Sequence, residues 1–214
     1  MKKNLTEMVF ILDRSGSMSH LVDDTIGGFN SMIEQQKNEE GEAYVTTVLF
    51  DGQYEILHDH VDIKDVQPIT NKEYYARGMT ALLDAVGRTI YSVGARLNDT
   101  PEEERPEKVI FVITTDGYEN ASQEFTKAGV KKMIEHQQEK YSWTFMFLGA
   151  NMDAVGEAES LGVSAQFART YTASDIGTQS LYSAVSKSIA TARNCSIEDG
   201  DWVAQAACCL DSVI

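Results

Sequence analysis

The chain has 214 residues, 43% of them hydrophobic, enough for the core of one large α/β domain without disulfide or metal staples. Its 33 acidic against 18 basic residues leave a net charge of −15, which repels a nucleic-acid backbone and argues against nucleic acid as partner. The first apolar run is too short for a secretory signal, and no stretch reaches transmembrane length, so no membrane association is expected.

In chain order, "MVFIL" (8–12) is apolar at every position, as expected of a strand buried on both faces of a parallel sheet. It runs into "DRSGSMS" (13–19). Val22, Ile26, Phe29 and Ile33 then recur at helical spacing. Gly27 and Gly28 interrupt that pattern, and Gly disfavours a helix interior by about 1 kcal/mol relative to Ala. Close packing against the sheet is the expected reason, with a break in the helix as the alternative. "AYVTTVLF" (43–50) and "QYEILHDHV" (53–61) flank Asp51-Gly52, which predicts a tight hairpin. Leu82, Val86, Ile90, Val93 and Leu97 mark a second helix, followed by the acidic connection "NDTPEEERPEK" (98–108). "VIFVIT" (109–114) is a second strand buried on both faces. Val130, Met133, Ile134 and Gln137 indicate a helix, and "WTFMFLG" (143–149) a further buried strand. Met152 and Val155 begin a short helix that Gly162 ends. "SAQF" (164–167) is the expected last strand, and Leu181, Val185, Ile189 and Ala192 lie on a long helix over about 173–194.

The order β-α-β-β-α-β-α-β-α-β-α implies right-handed crossovers and helices on both faces. The expected fold is a doubly wound, Rossmann-like α/β sheet of six strands, mostly parallel, with one antiparallel edge strand. In such sheets ligands bind beyond the C-terminal strand ends, where strand order reverses. Two strands end in acid there: the first at Asp13, the fourth at Asp116 of "TTDG". If these strands are neighbours, both acids meet in one crevice. Thr80 stands just before "ALLDAV", at an expected helix N-cap. Asp13, Ser15, Ser17, Thr80 and Asp116 are all hard oxygen donors, which suit magnesium, manganese or calcium rather than zinc or copper.

"DRSGSMS", Thr80 in "RGMTAL" and Asp116 in "TTDG" together resemble the three motifs of a von Willebrand factor A domain with an intact metal-ion-dependent adhesion site. The resemblance spans about residues 5–194 and includes all five positions without substitution. It implies a doubly wound sheet and a Mg2+ or Mn2+ ion, with Ca2+ also compatible. It further implies a protein partner whose Asp or Glu completes the coordination. It extends to standalone intracellular members that serve ATPase-linked or stress-response assemblies. If the hydroxyls bind directly and the aspartates act through water, the ion keeps much of its charge and attracts an external carboxylate. A protein-binding module is therefore expected, not an enzyme. The alternative is a metal-dependent hydrolase or phosphotransferase using Asp13, but the sequence offers no visible acid–base partner.

Several features lie outside this set. Arg14 is expected to point away on the loop. His58 and His60 are expected on one face of an edge strand, partly packed rather than metal-binding. Tyr75, Arg77, Tyr118 and Glu119 are candidates for a partner-binding rim, beside Tyr74 and Asn120. The tail 195–214 is expected to be an extension beyond a 1–194 domain. In it Trp202, Ala206, Leu210 and Val213 share a helical face after an "IEDGD" linker. Cys195, Cys208 and Cys209 make neither a disulfide framework nor a zinc pair. Reduced thiols fit a cytoplasmic protein, which makes the three N-x-S/T triplets chance matches.

Overall fold

The computed structural model describes residues 1–195 and 202–213. Its six strands are β1 (Lys2–Asp13), β2 (Glu42–Phe50), β3 (Tyr54–Asp62), β4 (Pro106–Thr115), β5 (Thr144–Ala150) and β6 (Ala168–Tyr171). The helices are α1 (Val22–Lys37), α2 (Leu82–Asp99), α3 (Lys127–Tyr141), α4 (Ala154–Ser160), α5 (Asp175–Asn194) and α6 (Trp202–Cys209). The sheet order is β3-β2-β1-β4-β5-β6, parallel except for β3, which pairs antiparallel with β2. Strand order therefore reverses between β1 and β4, the pair that ends in Asp13 and leads into Asp116.

The two sheet faces are read from β1. Phe10 and Glu7 are three residues apart and so point to opposite faces. Phe10 meets Phe29 of α1 edge-on at 5.3 Å. Glu7, fully buried, pairs with Arg96 of α2 at 2.7 Å. One face is thus covered by α1, which packs on α5, and the other by α2, which packs on α3. No helix among the described residues is long and apolar enough to cross a membrane.

Local details depart from the sequence expectations. Asp51 and Gly52 do not form a two-residue hairpin: the loop is three residues, closed by the Asp51 N–H bond to the Gln53 carbonyl at 3.1 Å. The last strand is Ala168–Tyr171, because Ala165–Phe167 winds into a 3-10 turn first. His58 and His60 do not share a face, since a register shift follows Thr47↔His58 and His60 takes a left-handed φ of 52°. His60 instead stacks on Tyr44 and bonds to buried Glu7 at 2.7 Å. In α1 the two glycines do not break the helix. Gly28 lies against Tyr182 of α5 rather than the sheet, and Gly27 has open space. In the tail, Trp202, Ala206 and Leu210 are buried and α6 packs on α5, while Val213 is partly buried. The "IEDGD" segment lies outside the described residues. Lys108, buried on β4, bonds the carbonyls of Ala192 and Cys195 and lies 5.5 Å from the Trp202 ring. The described cysteines form no disulfide.

The start of α2 is capped from outside the helix. Its N-cap residue is Ala81, not Thr80, and Ala81 has no capping side chain. The Leu83 N–H donates to Glu119 at 2.9 Å and the Asp84 N–H to Ser122 Oγ at 3.0 Å. In return the Asp84 carboxylate accepts the N–H groups of Gln123, Glu124 and Phe125, each at 2.9 Å. Burial opposes ionisation of Asp84, but these three bonds outweigh it and hold its pKa below the ordinary carboxylate range.

A Cβ at Gly28 would stand 2.3 Å from the Tyr182 ring, whereas one at Gly27 meets nothing within 4 Å. Gly28→Ala is expected to destabilise by about 1–3 kcal/mol, and Gly27→Ala to stabilise by about 0.5–1 kcal/mol. Urea denaturation of both variants checks this, and equal effects would refute the α1–α5 contact as the cause. Asp84→Asn is expected to lose about 1–3 kcal/mol at pH 7. Because the folded pKa of Asp84 lies below its unfolded value of about 4, its contribution is full above that value. It vanishes as pH falls through the folded pKa. The gap between parent and variant should therefore close on acidification from pH 6 to about 2; a gap independent of pH would exclude the charge as its source.

Candidate metal centre

Asp13 closes β1 and is fully buried. Its Oδ1 accepts the Ser15 N–H at 2.7 Å and its Oδ2 the Thr115 hydroxyl at 2.6 Å. From below, the Tyr74 hydroxyl donates to the Asp13 carbonyl at 2.5 Å, so Tyr74 is a buried support and not part of a rim. The next turn, Gly16–His20, is a 3-10 helix whose N-cap residue is Ser15, yet the Ser15 side chain makes no capping bond. The Ser15 and Ser17 hydroxyls lie 3.1 Å apart instead, and Ser17 Oγ donates to Asp116 Oδ1 at 2.5 Å. The hydroxyls are thus aimed at one another and at the second acid, not at a helix end.

Thr80 joins them from the third loop. A Cβ on Gly117 would stand 3.2 Å from Thr80 Oγ1 and 3.7 Å from Ser17 Oγ, so both hydroxyls face the same small space. Asn120 holds Thr80 there: the Thr80 N–H donates to Asn120 Oδ1 at 2.9 Å, and the Asn120 N–H to the Thr80 carbonyl at 3.0 Å. All five predicted residues, Asp13, Ser15, Ser17, Thr80 and Asp116, therefore gather at the β1/β4 reversal. Thr80 does so as a loop residue one position before the α2 cap.

Burial pushes the Asp13 carboxyl up to about pKa 6, with Thr115 and Ser15 pulling it back and Asp116 pushing it further. Burial also raises Asp116, against the Ser17 hydrogen bond. Neither carboxylate is ion-paired to a Lys or Arg among the described residues. Two acids close together, without a fixed cation and lined by three hydroxyls, match the oxygen donor set of a hard divalent ion. Among the described residues no three His, Cys, Asp or Glu side chains come together as a metal cluster, so this centre depends on its hydroxyls.

Two neighbours of these residues were not legible in the sequence. Arg14 does not point away. It is fully buried, with Nε 3.0 Å from Asp51, Nη2 2.7 Å from Glu55 and Nη1 3.1 Å from the Glu73 carbonyl. Its partners lie far along the chain, so no local signal gave them. His20, exposed, bonds the Ser17 carbonyl through Nδ1 at 2.9 Å and lies near enough to favour the charged form of Asp116.

The candidate rim divides. Tyr75 and Tyr118 are exposed, at 41% and 58%, and Met79 joins them at 59%. Arg77 is half-buried, bonded to Asp51 at 2.7 Å and to the Tyr75 hydroxyl at 2.8 Å. Glu119 uses both oxygens internally, on the amides of Leu83, Ala121 and Ser122, so its carboxylate is a loop clamp.

No protein-family model matches this chain, and no curated protein matches it. Among solved structures it is similar to proximal thread matrix protein 1 from the mussel byssus, with a TM-score of 0.59 and 16% identity over 87% of this chain and 47% of that one. The same mussel protein with a zinc-occupied MIDAS motif gives 0.58 and 17%, over 89% and 47%. The vWF domain of the type V pili tip protein Mfa5 from Porphyromonas gingivalis gives 0.61 and 9%, over 89% and 97%. The chain spans about half the length of the mussel protein. At these identities the likeness is one of fold, and the fold is that of a von Willebrand factor A domain.

Proposed function

We propose that this chain is a divalent-metal-dependent protein-binding module. Asp13, Ser15, Ser17, Thr80 and Asp116 would hold a Mg2+ or Mn2+ ion, with Ca2+ also compatible. The observation that carries this reading is the convergence of three hydroxyls that cap no helix and two carboxylates without a Lys or Arg partner at the sheet's reversal. The mussel protein's zinc-occupied motif supports a divalent cation at such a motif in this fold. The oxygen-only donor set favours a harder ion here.

When bound, the ion would supply a Lewis-acidic position for an Asp or Glu of the partner. The chain's own residues shape that position. Thr115 and the Ser15 amide fix Asp13, and Asn120 fixes Thr80. Tyr75, Met79 and Tyr118 are exposed on the loops that carry Thr80 and Asp116, with Arg77 bonded to the Tyr75 hydroxyl, and these are residue types that anchor interfaces. Arg77 and Arg14 stand 5.1 and 5.6 Å from the Tyr75 ring, which holds that anchor in place. Three free thiols among the described residues support a cytoplasmic setting. An ATPase-linked or stress-response assembly is the context in which such a module is expected. Asp13 does not serve as a nucleophile on this reading: it is buried and both of its oxygens are engaged.

Immobilised protein in Mg2+ should capture a partner from the native cell that EDTA releases. Ser15→Ala and Asp116→Ala should each weaken Mn2+ binding by about tenfold or more and fail in capture. Capture that survives both chelation and the substitutions would sink the metal mechanism. Phosphatase or nuclease turnover in Mg2+ that Asp13→Asn abolishes would establish the hydrolase alternative instead.

A further inference from the structure

Asp51 lies outside the five candidate ligands, at the tip of the β2–β3 hairpin, and only 2% of it is exposed. Its Oδ2 accepts Arg14 Nε at 3.0 Å and Arg77 Nε at 2.7 Å, and its Oδ1 accepts the Gln53 N–H at 2.7 Å. Its backbone carbonyl accepts the Ala81 N–H at 2.9 Å. Arg14 immediately precedes Ser15, and Ala81 immediately follows Thr80. One residue thus grips the chain beside two candidate ligands that are 65 positions apart (80 − 15).

The grip is reinforced by backbone bonds between the same segments. Arg14 N–H donates to the Phe50 carbonyl at 2.8 Å, Arg77 N–H to the Arg14 carbonyl at 2.8 Å, and Gly16 N–H to the Gly78 carbonyl at 3.2 Å. Gly78 takes a left-handed φ of 68°, and a Cβ there would lie 3.7 Å from Asp51 Cβ. A carboxylate that holds two guanidiniums, one of them fully buried, has no neutral substitute of equal strength. Charge-assisted bonds of fixed fork geometry also set distances more tightly than apolar packing does.

We infer that Asp51 is a positioning residue of the metal centre: its carboxylate, through Arg14 and Arg77, sets the Ser15 and Thr80 segments at their working separation, beside the backbone bond from Ala81. The antiparallel hairpin is then a functional part of the site. This inference rests on the metal reading above, and two measurements keep the two separable. Asp51→Asn preserves shape, and Glu55 and the Glu73 carbonyl still hold Arg14. In metal-free protein, amide hydrogen exchange over 14–21 and 76–82 should accelerate together by about tenfold or more, with β5 unchanged. By Mn2+ electron paramagnetic resonance, the dissociation constant should rise by about tenfold or more.

Unchanged exchange in both segments overturns the inference. So does faster exchange with Mn2+ affinity within about twofold of the parent. A parent that takes up no Mn2+ defeats the metal reading alone, and exchange still decides whether Asp51 holds the two segments. If Asp51→Asn does not fold, Arg77→Gln removes one arm from a half-exposed position. It should shift exchange over 76–82 and Mn2+ affinity in the same directions, by about threefold or more, and no change in either overturns the inference.

Discussion

A carboxylate buried at the end of the central strand organises the top of this molecule. Asp13 is inaccessible to water, and burial is the largest cause of a pKa raised to about 6, against the Thr115 and Ser15 hydrogen bonds. Such a group is tolerated only where each oxygen finds a donor. The Ser15 amide and the Thr115 hydroxyl are those donors, one from the following loop and one from the neighbouring strand. The Tyr74 hydroxyl fixes the carbonyl of the same residue from a third segment. Satisfying one acid therefore draws β1, β4 and the 66–81 connection to a common point. The burial that disfavours the bare carboxylate is also what favours its pairing with a cation, so the cost of placing Asp13 and the capacity of the site have one origin.

The surrounding loops stabilise one another by exchanging hydrogen-bond groups. A helix leaves its first amides without internal partners. In α2 those amides are satisfied by Glu119 and Ser122 of the loop that follows Asp116, while Asp84 of α2 satisfies three amides of that same loop. Asn120 and Thr80 repeat the exchange nearer the site. Neither loop has a complete set of partners without the other. The separation between Thr80 and Asp116 is thereby set by capping, a requirement of the fold, before any ligand is considered. Arg14 and Asp51 do the equivalent between the first loop and the hairpin.

How much of this was legible in the sequence depends on the range of each signal. The strands 8–12, 109–114 and 143–149 read directly, because burial on both faces leaves an unbroken apolar run. The meeting of the β1 and β4 ends then followed from the reversal of strand order, and it brings Asp13 and Asp116 together. What was not legible depends on distant partners. Arg14 looks like a solvent-facing loop residue until Asp51 and Glu55 are folded against it. Thr80 looks like a helix cap until the true caps arrive from residues 119–122. The alternation in "HDH" is broken by a register shift, and His60 turns instead to the buried Glu7, a partner 53 residues away. Gly28 is explained only by Tyr182, at the far end of the chain. Periodicity carries local structure, whereas ion pairs and close approaches are properties of the assembled chain.

The mixture of donors at the site has an electrostatic reason on the proposed reading. The charges beside it already balance: buried Arg14 and half-buried Arg77 against buried Asp51 and exposed Glu55. Asp13 and Asp116 then leave two negative charges for a divalent ion, which sums to zero. A partner's carboxylate approaches a centre with no net repulsion and a cation at its focus. Exchanging one hydroxyl for a third acid would leave the centre negative. Two like charges about 4 Å apart at an effective dielectric of about 20 repel by about 4 kcal/mol, close to a thousandfold in affinity. On a chain of net charge −15 there is no surrounding positive field to offset that penalty. Serine and threonine at 15, 17 and 80 thus supply oxygen atoms without supplying charge, and that difference separates a centre that recruits an external acid from one that is complete by itself.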